Sequence, residues 1–272
     1  PPAKSRSMNA PAPTAEAEAD STRRWQRVVD CVHLRTPDRM PVGLMMNFWL
    51  ARYGGIGNRQ QMYDYGKVAE IAEDLCREFE PDFFTSPYMM TTFGPMLDAI
   101  DFRQLEWPGH GVPDDRPYQY LDREYMSADE YDDFLFDPTG FYLGKYLPRV
   151  AGAYAGVEPL ATLAGSAYLG VGFATMVFGD PRLRQAFDTL EGASRVVRDM
   201  IAHEIEFGRR MAALGTPQGF GLIASAPYDA MADFFRGATG MMKDLYRRGD
   251  KVLEALDKMA TLIVRRTLAQ AK

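Results

Sequence analysis

Residues 40–86 constrain the fold more than any other stretch of the chain. MPVGLMM at 40–46 is a short apolar run without alternation, the pattern of a strand buried on both faces. From Asn58, placed to cap a helix, to about Phe79, the apolar positions Met62, Tyr65, Ala69, Ala72, Leu75, Cys76 and Phe79 step by three or four. That spacing predicts one long helix whose outer face carries Glu70, Glu73, Asp74 and Arg77. Pro81 and Asp82 close it, and Phe83, Phe84, Thr85 and Ser86 read as a second buried strand. A strand, a helix and a strand this close together join parallel neighbours in one sheet, which predicts an α/β fold.

The rest of the chain extends this rhythm and then interrupts it. Ser21 or Thr22 caps an opening helix over residues 21–35, with Trp25, Val28, Val29 and Val32 at helical spacing. Residues 88–126, rich in aromatics, prolines and glycines, predict an excursion, a hairpin among its options, from the end of the second strand. Ser127 and Glu130 form a capping box for a short helix that stops at Asp137-Pro138. Residues 160–164 are a candidate third strand. Asp180-Pro181 opens a helix reaching about Leu214, with Gly215 at its left-handed stop. Residues 219–226 (GFGLIASA) are a candidate fourth strand, and Asp250 caps a last helix carrying Val252, Leu253, Leu256, Met259, Ile263 and Val264. Residues 1–20, rich in Pro, Ala and acid, predict a disordered tail without the apolar centre of a secretory signal, leaving 21–272 as one domain.

Composition narrows the function classes. The 31 Lys and Arg are scattered among 37 acids, a formal charge of −6, which argues against a nucleic-acid partner. The two cysteines, Cys31 and Cys76, build no disulfide framework and point to a reducing, cytoplasmic setting. Residues 159–179 carry no charge and are long enough to span a bilayer. Gly, Ser, Thr, Ala and Tyr dominate them and no basic cluster flanks them, so a buried strand running into a loop and helix is expected, and no membrane partner. Three scattered histidines and two distant cysteines offer no metal-ligand spacing.

Five segments, in order, resemble the uroporphyrinogen decarboxylase superfamily: RTPDRMPV at 35–42, DFFTSP at 82–87, WPGHGVPD at 107–114, EYMSADEYDDF at 124–134 and RGATGMMKDLYR at 236–247. The resemblance implies a (β/α)8 TIM-barrel-type fold with its active site at the C-terminal ends of the strands. About four strand–helix units are present, so the barrel is expected to be incomplete and its open edge to seek a partner, a second copy included. The resemblance implies either porphyrin decarboxylation, which needs no cofactor, or methyl transfer from a small-molecule substrate with a corrinoid or thiol partner. Decarboxylases of the family follow the first strand with arginines that clamp substrate carboxylates. Here the sequence runs GLMMNFWLARY, so Met46 and Leu50 stand in those places, with Arg52 nearby but shifted. Thr85-Ser86-Pro87 replaces the family's strand-end aspartate segment, with Asp82 the nearest acid. Methionine offers no bidentate fork to a carboxylate, so methyl transfer is the expected branch. The rivals are a decarboxylase in which Arg52 and other basic groups replace the clamp, and a non-catalytic barrel fragment acting by association.

Individual residues carry two readings each. His110, between glycines in a polar loop, is the candidate general acid or base, or else a turn residue capping a carbonyl. Asn47 and Ser86, at expected strand ends, and Arg52 are substrate-binding candidates; Asn47 also reads as a turn former. Asp229 and Asp233, four apart, share a face on a helix. Asp233 is the catalytic candidate, able also to pair with Arg236, and Asp229 is a substrate contact or an ordinary helix-start acid. Tyr118 and Gln119 line a pocket or pack locally. His33 and His203 read as structural or solvated.

Overall fold

The computed structural model describes residues 11–219 and 223–271. Thr14 caps helix α1 (Ala15–Val32), its hydroxyl accepting from the Ala17 amide at 3.2 Å while Glu16 and Glu18 complement the helix dipole. The helix starts six residues ahead of Ser21, so residues 15–20 belong to it and not to the tail; residues 1–10 lie outside the described residues. Strand β1 (Gly43–Met45) follows, then α2 (Trp49–Tyr53), α3 (Asn58–Tyr63), α4 (Tyr65–Phe79) and β2 (Phe83–Thr85). Next come α5 (Pro87–Met90), α6 (Gly94–Ala99), β3 (Leu105–Pro108), β4 (Gly111–Val112), β5 (Gln119–Tyr120) and α7 (Tyr131–Phe136). Helices α8 (Pro138–Phe141), α9 (Leu147–Val150), α10 (Leu169–Ala174), α11 (Pro181–Ala213), α12 (Pro227–Asp229) and α13 (Ala238–Gln270) complete the order. The architecture is α/β, dominated by helices around short strands. Among the described residues no helix is long and apolar enough to cross a membrane.

The chain divides into two compact units, one of Pro1–Met96, Trp107–Pro117 and Val196–Gly221, the other of Leu97–Glu106, Tyr118–Arg195 and Leu222–Lys272. In the first, β1 and β2 pair in parallel with Gly43 opposite Phe83 and Met45 opposite Thr85, as the strand–helix–strand pattern requires. The expected single helix from Asn58 is broken at Asp64, which ends α3 and caps α4 by accepting from the Lys67 amide at 2.9 Å. One face of the pair packs on helices: Leu44, Met46 and Phe84 join Val68, Ala72, Leu75, Phe207 and Met211 in one core. Side chains alternate across a strand, so Gly43 and Met45 face the other way and are exposed. Burial on both faces, expected for residues 40–46, is therefore not realised. Helix α11 stops as expected, with Gly215 at φ +69° and a paired closure of Gly215 N–H to Ala212 O and Thr216 N–H to Met211 O.

Two expected strands are corrected. Residues 160–164 lie mostly in a 3-10 turn, Glu158–Thr162, because no neighbouring strand among the described residues offers them a ladder. Downstream, Tyr168, Leu169, Val171, Phe173, Met176 and Phe178 are exposed rather than buried. Of residues 219–226, 220–222 lie outside the described residues and 223–226 form no strand; the extended contact falls earlier, where Phe84 N–H donates to Pro217 O and Gly219 N–H to Phe84 O.

The second unit is built on Met126, Tyr131, Phe134, Phe141, Tyr146, Met231, Phe235, Met241, Val252 and Met259. Its rings are tightly arranged, Tyr146 stacking on Phe235 at 4.1 Å. The capping box is half formed: Glu130 accepts from the Ser127 amide at 2.9 Å, but the Ser127 hydroxyl turns to Asp129 and α7 starts at Tyr131. In α13 the backbone leaves helical geometry at Arg248, two residues ahead of the expected Asp250 cap.

Candidate active site

A cavity of about 530 Å³ opens in the first unit where α3 breaks into α4, lined by Gly57, Arg59, Gln60, Tyr63, Asp64, Tyr65 and Asp114. The break at Asp64 creates it, because a continuous helix would carry Tyr63 and Tyr65 around the axis instead of placing both in one wall. Asp114 comes from the turn after β4, which is fastened to α3 by the Arg59 amide donating to Asp114 O at 3.3 Å. The Arg59 guanidinium and the Asp114 carboxylate approach to 3.9 Å, too far for a hydrogen bond, with side chains 58% and 62% exposed. Asp64 is more committed, accepting from the Lys67 amide and from Gln60 Nε2. One guanidinium and two carboxylates give the lining a formal charge of −1.

The aromatic side is ordered by hydrogen bonds and stacking. Trp107 Nε1 donates to the Tyr63 hydroxyl at 2.9 Å, and the His110 ring stacks on Trp107 at 4.5 Å. Gly109 has φ +85°, and a Cβ there would lie 3.1 Å from Arg59 Nε, so the bare glycine lets the guanidinium lie over the loop. The Tyr65 hydroxyl is buried without a hydrogen-bond partner, and the Tyr65 ring packs on those of Tyr88 and His203, with centroids 5.7 and 4.8 Å away. Burial, with the Asp199 carboxylate nearby, pushes its phenol up to about 12, so it stays a proton donor through the neutral range.

The expected site residues divide between the units. In the first, His110 is exposed on a tight turn, its amide donating to Trp107 O and its carbonyl accepting from Trp107 N–H. It sits beside the cavity through Trp107 without lining it. Asn47 forms a turn, its side chain accepting from the Phe48 amide at 2.8 Å, and Arg52 stands exposed in the last turn of α2. Neither lines the cavity. Ser86 is buried, caps α5 through the Tyr88 amide and donates to Glu204, which also accepts from Gln218. Met46 and Leu50 are fully buried in the core.

In the second unit, Tyr118 and Tyr120 meet edge to face at 5.8 Å and share a hydrogen bond, Tyr120 leans on Phe234, and the Asp233 carboxylate helps raise the Tyr120 phenol after burial. Gln119 pairs with Glu106 in the β3–β5 ladder. Asp229 ends the single turn α12, and Asp233 lies in the wider π-turn Ala230–Arg236, so a spacing of four no longer aligns them as it would on an α-helix. The expected Asp233–Arg236 pair is not formed: Arg236 is buried against Asp244 at 2.6 Å and Glu124 at 2.9 Å.

Arg59, Gln60, Tyr63 and Asp64 are the residues that sequence reasoning missed, and the polar run NRQQ at 58–61 ahead of two tyrosines was the available signal. Among the described residues no three His, Cys, Asp or Glu side chains are grouped as a metal ion would need. No protein-family model, no curated protein and no solved structure matches the chain.

Proposed function

We propose that the chain is a barrel-type protein of the uroporphyrinogen decarboxylase superfamily, on its methyl-transfer side, and that the Arg59–Asp114 cavity takes a small substrate of few charges. The charge of that cavity carries the reading. A polycarboxylate ligand needs several fixed cations, whereas here one guanidinium faces two carboxylates. Met46 and Leu50 add support, since they pack in the core where the family's clamping arginines belong. The five ordered motifs and the parallel β1–β2 pair agree with a barrel of this kind.

A corrinoid does not fit as a resident group, because the lining offers no imidazole ligand. The methyl acceptor belongs to a partner, a corrinoid protein or a thiol. What the chain itself supplies is orientation: Arg59 and Asp114 as charged contacts, and Tyr63 held by Trp107.

Titration of the intrinsic tryptophan fluorescence with uroporphyrin tests the proposal, since Trp107 is buried beside the cavity. No saturable quenching is expected. Saturable quenching that R59Q abolishes would contradict it.

A further inference from the structure

Independently of that reading, we infer that a second copy of this chain docks on helix α13, the two helices running antiparallel about a twofold axis near Thr261. Beyond the kink at Arg248, α13 buries Val252, Ala255 and Met259 in the core of its unit. The opposite face is uncovered. Leu253, Val264 and Leu268 are 61%, 55% and 60% exposed, and Asp257 and Thr261 are exposed between them. These five step by four, four, three and four, so they form one stripe along about four turns.

Charge says what covers the stripe. Asp257 stands in its first half and Arg265 beside its second. The residues three and four away from Asp257 are Leu253, Glu254, Ala260 and Thr261, and those around Arg265 are Thr261, Leu262, Leu268 and Ala269. Neither charge therefore finds an opposite one at the spacing that lets a helix pair its own side chains. They do not reach each other either, being eight residues, about 12 Å, apart along one axis. The helix dipole acts within the terminal turns, and Asp257 lies beyond them. Turning a second copy end for end about Thr261 places each Leu253 beside the other copy's Leu268 and each Asp257 opposite the other copy's Arg265. Two equivalent ion pairs then flank an apolar seam, the self-complementarity of a twofold interface. A parallel pairing would set Asp257 against Asp257 and Arg265 against Arg265. Another exposed apolar run, with Leu169, Val171, Phe173, Met176 and Phe178, carries no charge that would choose an occupant.

Sedimentation equilibrium of the full chain, from micromolar to submillimolar loading, tests the inference. A concentration-dependent shift from the 30.6 kDa monomer to twice that mass is expected. D257R and R265D each bring like charges together twice and should weaken association at least about tenfold. The double variant D257R/R265D restores both pairs and should recover it. An equimolar mixture of the two single variants should also form dimers, because one carries two cations on the stripe and the other two anions. Both side chains are exposed, so the variants should keep the wild-type melting curve. A monomer at every concentration overturns the inference. So does a dimer that tolerates both single reversals, or one whose loss neither the double variant nor the mixture reverses. A dimer that F173S dissolves and D257R does not would place the contact on the other apolar run, and overturns the inference as well.

Discussion

The indole of Trp107 donates to the Tyr63 hydroxyl at 2.9 Å and thereby ties the WPGHG turn to the helix that carries Arg59. His110 covers the same indole, with its backbone paired to Trp107 in both directions. The loop is thus a brace for the cavity wall, which gives its two left-handed glycines, Gly109 and Gly111, a physical role.

Replacing Gly109 tests that brace. An alanine at φ +85° is strained, and its Cβ would crowd the Arg59 guanidinium. G109A should lose about 1 kcal/mol of stability and weaken ligand binding at the cavity. A variant unchanged in both melting and titration would show that the loop does not place Arg59.

Met46 and Leu50 should behave as core residues. L50A is expected to cost about 2–5 kcal/mol in urea unfolding. M46R should destabilise the chain without creating a carboxylate-binding site, since the position opens into packed side chains and not into a cavity. A stable M46R that binds carboxylates would show the position to be a lost clamp.

Asp244 neutralises the buried Arg236 and accepts from the Tyr131 hydroxyl at 3.0 Å. D244A should cost about 3 kcal/mol, because it leaves a buried guanidinium short of a partner. The conservative D244E, which keeps the charge, should recover part of the loss in the same unfolding measurement.

Glu130 gives the second unit an acid limit. Arg149 grips both carboxylate oxygens at 2.7 and 2.8 Å, with Lys145 and the Ser127 amide adding contacts, and these hold the carboxyl well below the usual range. A depressed carboxyl contributes stability above its unfolded value, about 4.3, and loses it as pH falls toward the folded one. E130Q should therefore be less stable than the parent at pH near 7 and approach it in strong acid. An equal difference at both pH values would remove Glu130 from this role.

Physical patterning made the local elements legible, and the places where it failed share a cause. Period and punctuation located β1, α4, β2 and α11, and the Gly215 stop, because each depends on its own residues. The strand expected at 160–164 failed because a strand needs a neighbour, and an apolar run does not say whether one exists. The apolar spacing from Asn58 continues across Asp64 and so hides the break between α3 and α4 at which the cavity lies. His110 stands out in sequence for its loop context but does not line the cavity; the lining group is Arg59, which in sequence reads as an ordinary exposed helical arginine. Asp229 and Asp233 were paired by α-helical spacing that a π-turn undoes.

The most direct test of the account is turnover of uroporphyrinogen by the chain, followed as coproporphyrinogen released under anaerobic conditions. A cavity of net negative lining, with Met46 and Leu50 packed away, predicts no product above the protein-free control. Coproporphyrinogen formed at a rate proportional to the protein, and lost in R52Q, would contradict it.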